Sequence, residues 1–234
     1  MAKFIHDGQE LNYELHGDAA ASAHTPVLML HGNGEDMRIF GAVLALLPPQ
    51  RCVILLDSRL HGGSRPLPGA SLELHYDQMA GDGIALMEHL GIRSYDIVGF
   101  SDGGIIALLM AMRSIAVRRI ITIGANTDPS GLTRRARAEM RRAAKQAKAE
   151  GDVRTAELQR LMLEEPHITR ADLAGILADA TIVLGRKDPF IDRKHSEAIA
   201  DAIPHGSHLY VEGAEHGIPH SHPKALADIM NAVL

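Results

Sequence analysis

A series of short apolar runs, in which no polar residue alternates, constrains the fold more than any other feature. The runs cover residues 27–30, 53–56, 97–100, 120–123, 182–184 and 209–211. Such runs are typical of strands buried on both faces, as in a parallel sheet covered by helices. Upstream of them, the apolar stretches 4–5 and 11–15 flank Asp7-Gly8, which predicts a β-hairpin.

Helical patterns occupy the intervals between the apolar runs. Residues 76–90 carry apolar side chains at helical spacing, and Gly91 follows as a stop. Residues 105–112 predict a buried helix, and residues 189–203 and 219–234 predict helices with a proline near their start. The alternation of strands and helices predicts an α/β fold with a mostly parallel sheet.

One long segment, residues 129–179, contains no strand pattern. Its first half is rich in Arg, Lys and Ala, a strongly helical composition, and its second half predicts helices at 155–163 and 169–177. Pro166 separates these two helices, and Thr169 with Asp172 suits a capping box. We therefore predict an α/β core formed by residues 1–128 and 180–234, with residues 129–179 inserted as a short helical cap.

Composition excludes several classes of function. The 24 basic and 29 acidic residues give a net charge of −5, which does not favour a nucleic-acid partner. The single cysteine, Cys52, excludes an intrachain disulfide and indicates a reducing compartment. The amino end has no apolar leader, and no apolar run reaches the roughly 18 residues of a membrane span. We expect a cytoplasmic protein with no membrane partner, and no pattern predicts its oligomeric state.

The hexapeptide Gly-Phe-Ser-Asp-Gly-Gly, residues 99–104, joins an apolar strand to an apolar helix. In a nucleophile elbow the turn is so tight that flanking positions need glycine, because a Cβ would collide with backbone. This context predicts Ser101 as a nucleophile. The alternative is a glycine-rich turn in which the serine is incidental.

A nucleophilic serine needs a base and an acid that orients the base. His216 follows the last predicted strand, and Asp188 follows the strand before it. The chain order Ser101, Asp188, His216 and the position of all three after strands favour a catalytic triad. Taken singly, His216 could be a surface histidine, and Asp188 could cap the helix that begins near Pro189.

The glycine-rich sequence at residues 31–34 directly follows a buried strand. Acyl transfer creates an oxyanion that needs preorganised amide donors. We assign the main-chain amides of Asn33 and Asp102 to this oxyanion hole, and His31 to a structural role. The Asp102 carboxylate suits the start of a helix, where the dipole favours negative charge, or alternatively binds a cationic group of the substrate.

These motifs together resemble the α/β-hydrolase superfamily over nearly the whole chain. The matching landmarks are residues 31–34, residues 57–64, the elbow at Ser101, Asp188 and His216, with Leu60 where the family usually has glycine. The resemblance implies about eight strands with the second antiparallel, and hydrolysis through an acyl-enzyme without a cofactor. The elbow is similar to that of biphenyl-hydrolase-like, valacyclovir-hydrolase-type enzymes, which implies amino-acid esters as one substrate class.

We therefore predict a serine hydrolase acting on a small-molecule ester or acyl substrate. The same triad would also serve a C–C bond hydrolase, a thioesterase or a lyase, and a hydrolase fold can act as a ligand receptor or signalling protein. The absence of tryptophan and the serine at the elbow disfavour a haloalkane dehalogenase. The 14 histidines raise the question of a metal. No metal site is predicted, because prolines bracket His220-Ser221-His222 and no Cys or carboxylate cluster accompanies it.

Overall fold

The computed structural model describes residues 1–19 and 22–234. Its centre is a sheet whose strands are β1 (Ala2–His6), β2 (Gln9–His16), β3 (Val27–Leu30), β4 (Val53–Leu56), β5 (Arg65–Pro66), β6 (Tyr95–Phe100), β7 (Val117–Ile123), β8 (Asp179–Gly185) and β9 (Gly206–Val211). The order across the sheet is β1-β2-β4-β3-β6-β7-β8-β9, and β5 pairs with β2. The sheet confirms the predicted α/β-hydrolase fold.

Strand directions follow the prediction. β2 is antiparallel to both β1 and β4, and the strands from β4 through β3 to β9 pair in parallel. Each of the six apolar runs lies in a strand. Five of the runs are buried, because a strand covered on both faces has no polar side to expose. The sixth, in the edge strand β9, is not covered on both faces, and Leu209 is 41% exposed. The sequence did not predict β5, because a strand of two residues is too short to carry a periodic pattern.

Most helices connect strands, and the last two follow β9. They are α1 (Gly41–Leu44), α2 (Tyr76–His89), α3 (Asp102–Arg113), α4 (Arg134–Glu150), α5 (Val153–Glu164), α6 (Arg170–Ala174), α7 (Arg193–Ala202), α8 (Ile218–Ser221) and α9 (Pro223–Val233). The single helix predicted over 219–234 is wrong: His222 leaves helical geometry, and Pro223 starts a new helix because it lacks an amide hydrogen.

Apolar side chains on the two faces of the sheet form two cores. On one face, Leu28 of β3 packs in a cluster that includes Leu86 of α2. On the other face, Val27 of the same strand packs in a cluster that includes Leu226 of α9. Successive residues of a strand point to opposite faces, so β3 contributes to both cores. Because helices cover both faces of the sheet, the ends of the strands are the part of the sheet that stays open.

The segment between β7 and β8 is helical, as predicted, with α4, α5 and α6 in it. Thr133 caps α4, Gly151 ends it in a left-handed conformation, and Asp152 caps α5. The predicted capping box of Thr169 and Asp172 starts α6, which ends near Gly175, earlier than predicted. That these residues form a cap distinct from the core stays a prediction.

The lengths and compositions of the helices bear on membrane insertion. Within residues 1–19 and 22–234, every helix is too short or too polar to span a lipid bilayer.

Candidate active site

Ser101 lies in a sharp turn between β6 and α3. Its backbone has φ 53° and ψ −116°, a conformation that L-residues rarely adopt and that holds the side chain out of the turn. A Cβ at Gly99 would lie 2.1 Å from the Gly103 carbonyl oxygen, and one at Gly103 would lie 2.1 Å from the Leu30 carbonyl oxygen. Both glycines are therefore required by the close approach of strand, turn and helix.

The structure brings Ser101, His216 and Asp188 together although they lie far apart in the chain. The Nε2 atom of His216 is 3.1 Å from the Ser101 Oγ, and its Nδ1 atom is 2.8 Å from the Asp188 Oδ2. An ionised Asp188 can only accept, so Nδ1 carries the proton and Nε2 is free to accept from the serine hydroxyl. The arrangement can transfer a proton from Ser101 to His216.

Local contacts fix the side chains of Asp188 and His216. The Oδ1 atom of Asp188 accepts from the amides of Phe190 at 2.7 Å and Ile191 at 3.0 Å, and this side chain is almost fully buried. The rings of Phe100 and Phe190 contact the His216 imidazole, with centroids 5.2 and 5.1 Å away. Two tilted aromatic rings therefore contact the imidazole, and a carboxylate contacts its Nδ1 atom.

The two amides predicted to form an oxyanion hole belong to Asn33, in the loop after β3, and Asp102, the first residue of α3. The first amide of a helix has no acceptor within that helix. Within the part of the chain that the structure describes, neither main-chain amide donates to a protein acceptor. That these two amides bind an oxyanion stays a prediction.

Two buried histidines connect the loop after β3 to the loop after β4. His61 donates from Nδ1 to the Arg59 carbonyl at 2.7 Å and accepts at Nε2 from the Gly34 amide at 3.0 Å. His31 donates to its neighbour Gly32 at 2.8 Å and accepts from the Ser58 amide at 3.0 Å. Burial lowers the pKa of both imidazoles, that of His61 to about 3. Both remain neutral, as their acceptor roles require.

Leu60 adopts the left-handed conformation that favours glycine, with φ 60°. Leu60 stands where the resemblance implies a glycine, and a left-handed conformation is uncommon for a residue with a side chain. Asp57, in the same loop, accepts from the amides of Met37 at 2.8 Å and Gly63 at 2.7 Å. The substitution therefore leaves a turn that still carries His61 to the loop after β3.

The Asp102 carboxylate is not on the wall of the cavity at Ser101. Its residue is 5% exposed, and its Oδ2 accepts from the Asn33 side-chain amide at 2.8 Å. Burial raises the pKa of this carboxyl to about 6, and the hydrogen bond from Asn33 opposes the rise. The structure therefore directs this carboxylate toward Asn33, whereas the sequence analysis allowed it to face a substrate.

A cavity of about 520 Å³ opens above Ser101. Its floor includes Ser101 and His216, and its apolar walls come from β6, α4, α5 and the loop after β8: Phe100, Met140, Ala143, Leu158, Met162 and Phe190. Polar groups at the same cavity are Glu35, Glu139, Arg154, Thr155 and Gln159. A site of this size and lining fits a small, largely apolar molecule.

A second opening, of about 650 Å³, lies between the start of α2 and the segment after α5. Its lining includes His75, Arg160 and Glu165, and neither Ser101 nor His216 borders it. The carboxylate of Glu165 is used by His75, at 2.6 Å. We place the candidate active site at the smaller cavity, because that one contains the nucleophile and base.

The histidine pair singled out in the sequence has ordinary protein partners. His220 contacts the Glu35 carboxylate at 2.8 Å, and His222 contacts the Ser221 hydroxyl at 2.8 Å. No group of three or more metal-ligating side chains with suitable geometry occurs within residues 1–19 and 22–234.

Sequence reasoning missed the cavity walls. Met140 and Ala143 lie three residues apart on α4, and Leu158 and Met162 lie four apart on α5. Such spacing places side chains on one helix face and was the only available sign of these walls. It does not reveal which element that face covers.

Comparison with known proteins adds three findings. The family model for the alpha/beta hydrolase fold matches residues 25–158. A putative esterase/lipase of Haemophilus influenzae is 31% identical over 121 residues, which are 51% of this chain and 40% of that protein, so the chain spans less than half of that relative. The human serine hydrolase BPHL is 27% identical over 230 residues, covering 90% of this chain and 77% of that protein.

Solved structures agree with the fold. A structure described under carboxylesterases of Nitrososphaera gargenis superimposes with a TM-score of 0.82 at 19% identity, covering 97% of this chain and 94% of the other. Because the family model matches more than half of the sequence and the sheet has the strand order described above, this chain belongs to the family of proteins with the alpha/beta hydrolase fold.

Proposed function

We propose that this protein is a serine hydrolase that cleaves small carboxylic esters through an acyl-enzyme. The observation that carries the proposal is the contact chain Ser101 Oγ, His216 Nε2 and Asp188 Oδ2, with distances of 3.1 and 2.8 Å. The names esterase/lipase and serine hydrolase carried by two relatives support it.

In the first half-reaction the Ser101 Oγ attacks the ester carbonyl carbon as its proton passes to His216 Nε2. Asp188 keeps the proton of His216 on Nδ1 and stabilises the imidazolium. The carbonyl oxygen becomes an oxyanion, which the amides of Asn33 and Asp102 stabilise. The C–O bond to the alcohol then breaks, and His216 gives its proton to the departing alkoxide.

In the second half-reaction a water molecule attacks the acyl carbon and gives a proton to His216. The bond between the acyl carbon and the Ser101 Oγ breaks, the proton returns to Oγ, and a carboxylic acid leaves. The apolar cavity walls, such as Leu158 and Met162, suit the acyl or alcohol chain. We propose that residues 129–179 form the cap, whose helices α4 and α5 enclose the acyl or alcohol chain of the substrate.

The test is a panel of p-nitrophenyl esters from acetate to octanoate, with thioester, amide and C–C bond substrates beside them. Wild type should turn over esters, and Ser101→Ala should not. Ser114→Ala, at the other end of α3, is the matched control and should keep wild-type rates. Turnover of C–C substrates without ester cleavage, or ester cleavage by Ser101→Ala, would contradict the proposal. Ligand binding without turnover would favour a receptor.

A further inference from the structure

The side-chain amide of Asn33 joins three separate parts of the molecule. Its Nδ2 atom donates to the Asp102 Oδ2 at 2.8 Å and to the Leu158 carbonyl oxygen at 3.3 Å. Asn33 lies in the loop after β3, Asp102 starts α3, and Leu158 lies within α5. One primary amide has two hydrogens, so both bonds can form at once.

Asp102 depends on this contact. The carboxylate is buried, and a buried carboxylate without donors is strongly disfavoured. The Tyr76 hydroxyl interacts with the same carboxyl, but its oxygen makes no hydrogen bond that meets ordinary distance and angle limits. The Asn33 amide is therefore the well-formed side-chain donor to Asp102 within the described residues.

We propose that the Asn33 side chain is a positioning group, which sets the two oxyanion-hole amides relative to each other and couples them to α5. This inference rests on the proposed function. The residues that supply the two main-chain donors are also the two partners of the 2.8 Å side-chain bond. That bond restrains both donors before an oxyanion forms, which is the preorganisation on which such donors depend.

The bond to Leu158 extends the restraint to the wall of the cavity. Leu158 is almost fully buried and lines the same cavity as Ser101, and its carbonyl oxygen accepts from the Asn33 side chain. An acyl chain of the substrate that displaces α5 would therefore shift the loop after β3 through the contact of Leu158 with Asn33. We expect loss of this contact to affect long acyl chains more than acetate.

The first experiment compares Asn33→Ala with the control Ser114→Ala, a substitution at the other end of α3. Asn33→Ala keeps the main-chain donor but removes both side-chain bonds, so kcat for p-nitrophenyl acetate should fall about tenfold to a hundredfold, with KM nearly unchanged. The rate of labelling by a fluorophosphonate should fall by the same factor. Ser114→Ala should keep the kcat of wild type, because Ser114 lies outside the cavity and outside the contacts of Asn33.

The second experiment exchanges the two groups. Asn33→Asp alone sets two carboxylates against each other and should be at least as slow as Asn33→Ala. The double variant Asn33→Asp/Asp102→Asn restores a donor and an acceptor across the same gap, so kcat should recover. Its carboxylate cannot donate to the Leu158 carbonyl, so KM for the octanoate ester should stay raised. A purely structural role would change the melting temperature without this recovery of kcat.

Each outcome decides a separate point. If wild type cleaves esters and Asn33→Ala does so equally fast, or if the double variant is no faster than Asn33→Asp, the positioning role is wrong while the proposed function stands. If wild type neither cleaves esters nor reacts with the fluorophosphonate, both are wrong.

Discussion

The Nε2 atom of His61 accepts a hydrogen bond from the Gly34 amide at 3.0 Å and thereby ties the loop after β4 to the loop after β3. Gly34 directly follows Asn33 and has a left-handed φ of 76°. The histidine also donates from Nδ1 to the Arg59 carbonyl. A neutral imidazole thus bridges two backbone segments, one of which carries a proposed oxyanion donor.

Two substitutions at His61 distinguish the role of its hydrogen bond with Gly34 from that of its hydrogen bond with Arg59. A Gln side chain places an amide oxygen near the position of Nε2, whereas Asn reaches only the position of Nδ1. His61→Gln should therefore keep the bond to Gly34 and a kcat within a few fold of wild type. His61→Asn should lose that bond and about tenfold to a hundredfold in kcat, measured with p-nitrophenyl acetate. Equal rates in the two variants would show that the Gly34 contact has no part in positioning.

The buried carboxyl of Asp102 should make stability fall as the pH rises. Its pKa is raised from 3.8 to about 6, so the folded state holds this proton more tightly than the unfolded state. Stability from this group is complete below about pH 4 and is lost toward pH 6, by up to about 1.4 kcal/mol per pH unit. Urea unfolding across this range should show wild type losing stability relative to Asp102→Asn. A constant difference between the two proteins would contradict the shift.

Asp188 should matter for the rate far more than for folding. Asp188→Asn exchanges the acceptor for His216 Nδ1 and favours the wrong imidazole tautomer, so kcat should fall by about 10⁴-fold. The matched control is Asp192→Asn, four residues away, whose carboxylate caps α7. Asn and Asp cap helices about equally well, so this control should keep both rate and stability. Comparable turnover in the two variants would remove Asp188 from the triad.

The α5 wall should set the length of chain that fits. Met162→Trp fills part of the cavity, so kcat/KM should fall at least about tenfold for the octanoate ester and little for acetate. Because the natural sequence has no tryptophan, the new indole also reports binding by fluorescence. Met112→Trp, at the other opening, is the control and should leave the ratio unchanged. An unchanged octanoate rate in Met162→Trp would place the chain elsewhere.

The fold was predictable where a local pattern has one physical cause. Buried runs identify β3 and β4 because a strand covered on both faces must be apolar throughout. The elbow is readable because Gly99 and Gly103 have no room for a Cβ. By contrast, β5 is too short for a pattern, and the break before α9 depends on the geometry of His222.

The positions of the site residues after particular strands were predictable, but the contacts between their side chains were not. β8 and β9 are neighbours and only β7 separates them from β6, so the parallel topology alone brings Ser101, Asp188 and His216 to the same end of the sheet. The contact of Asn33 with Asp102 spans 69 positions and that with Leu158 spans 125. No local pattern encodes such contacts. From the sequence, the Asp102 carboxylate could therefore either stabilise the start of α3 or bind a cationic group of the substrate.

The most direct test of the central claim is to identify the residue that a fluorophosphonate modifies. Wild-type protein should be labelled to one adduct per chain, peptide mass mapping should locate that adduct on Ser101, and ester turnover should decline in step with labelling. His216→Ala should react far more slowly. An adduct on a different residue, or full ester turnover after Ser101 has been completely modified, would contradict the acyl-enzyme mechanism.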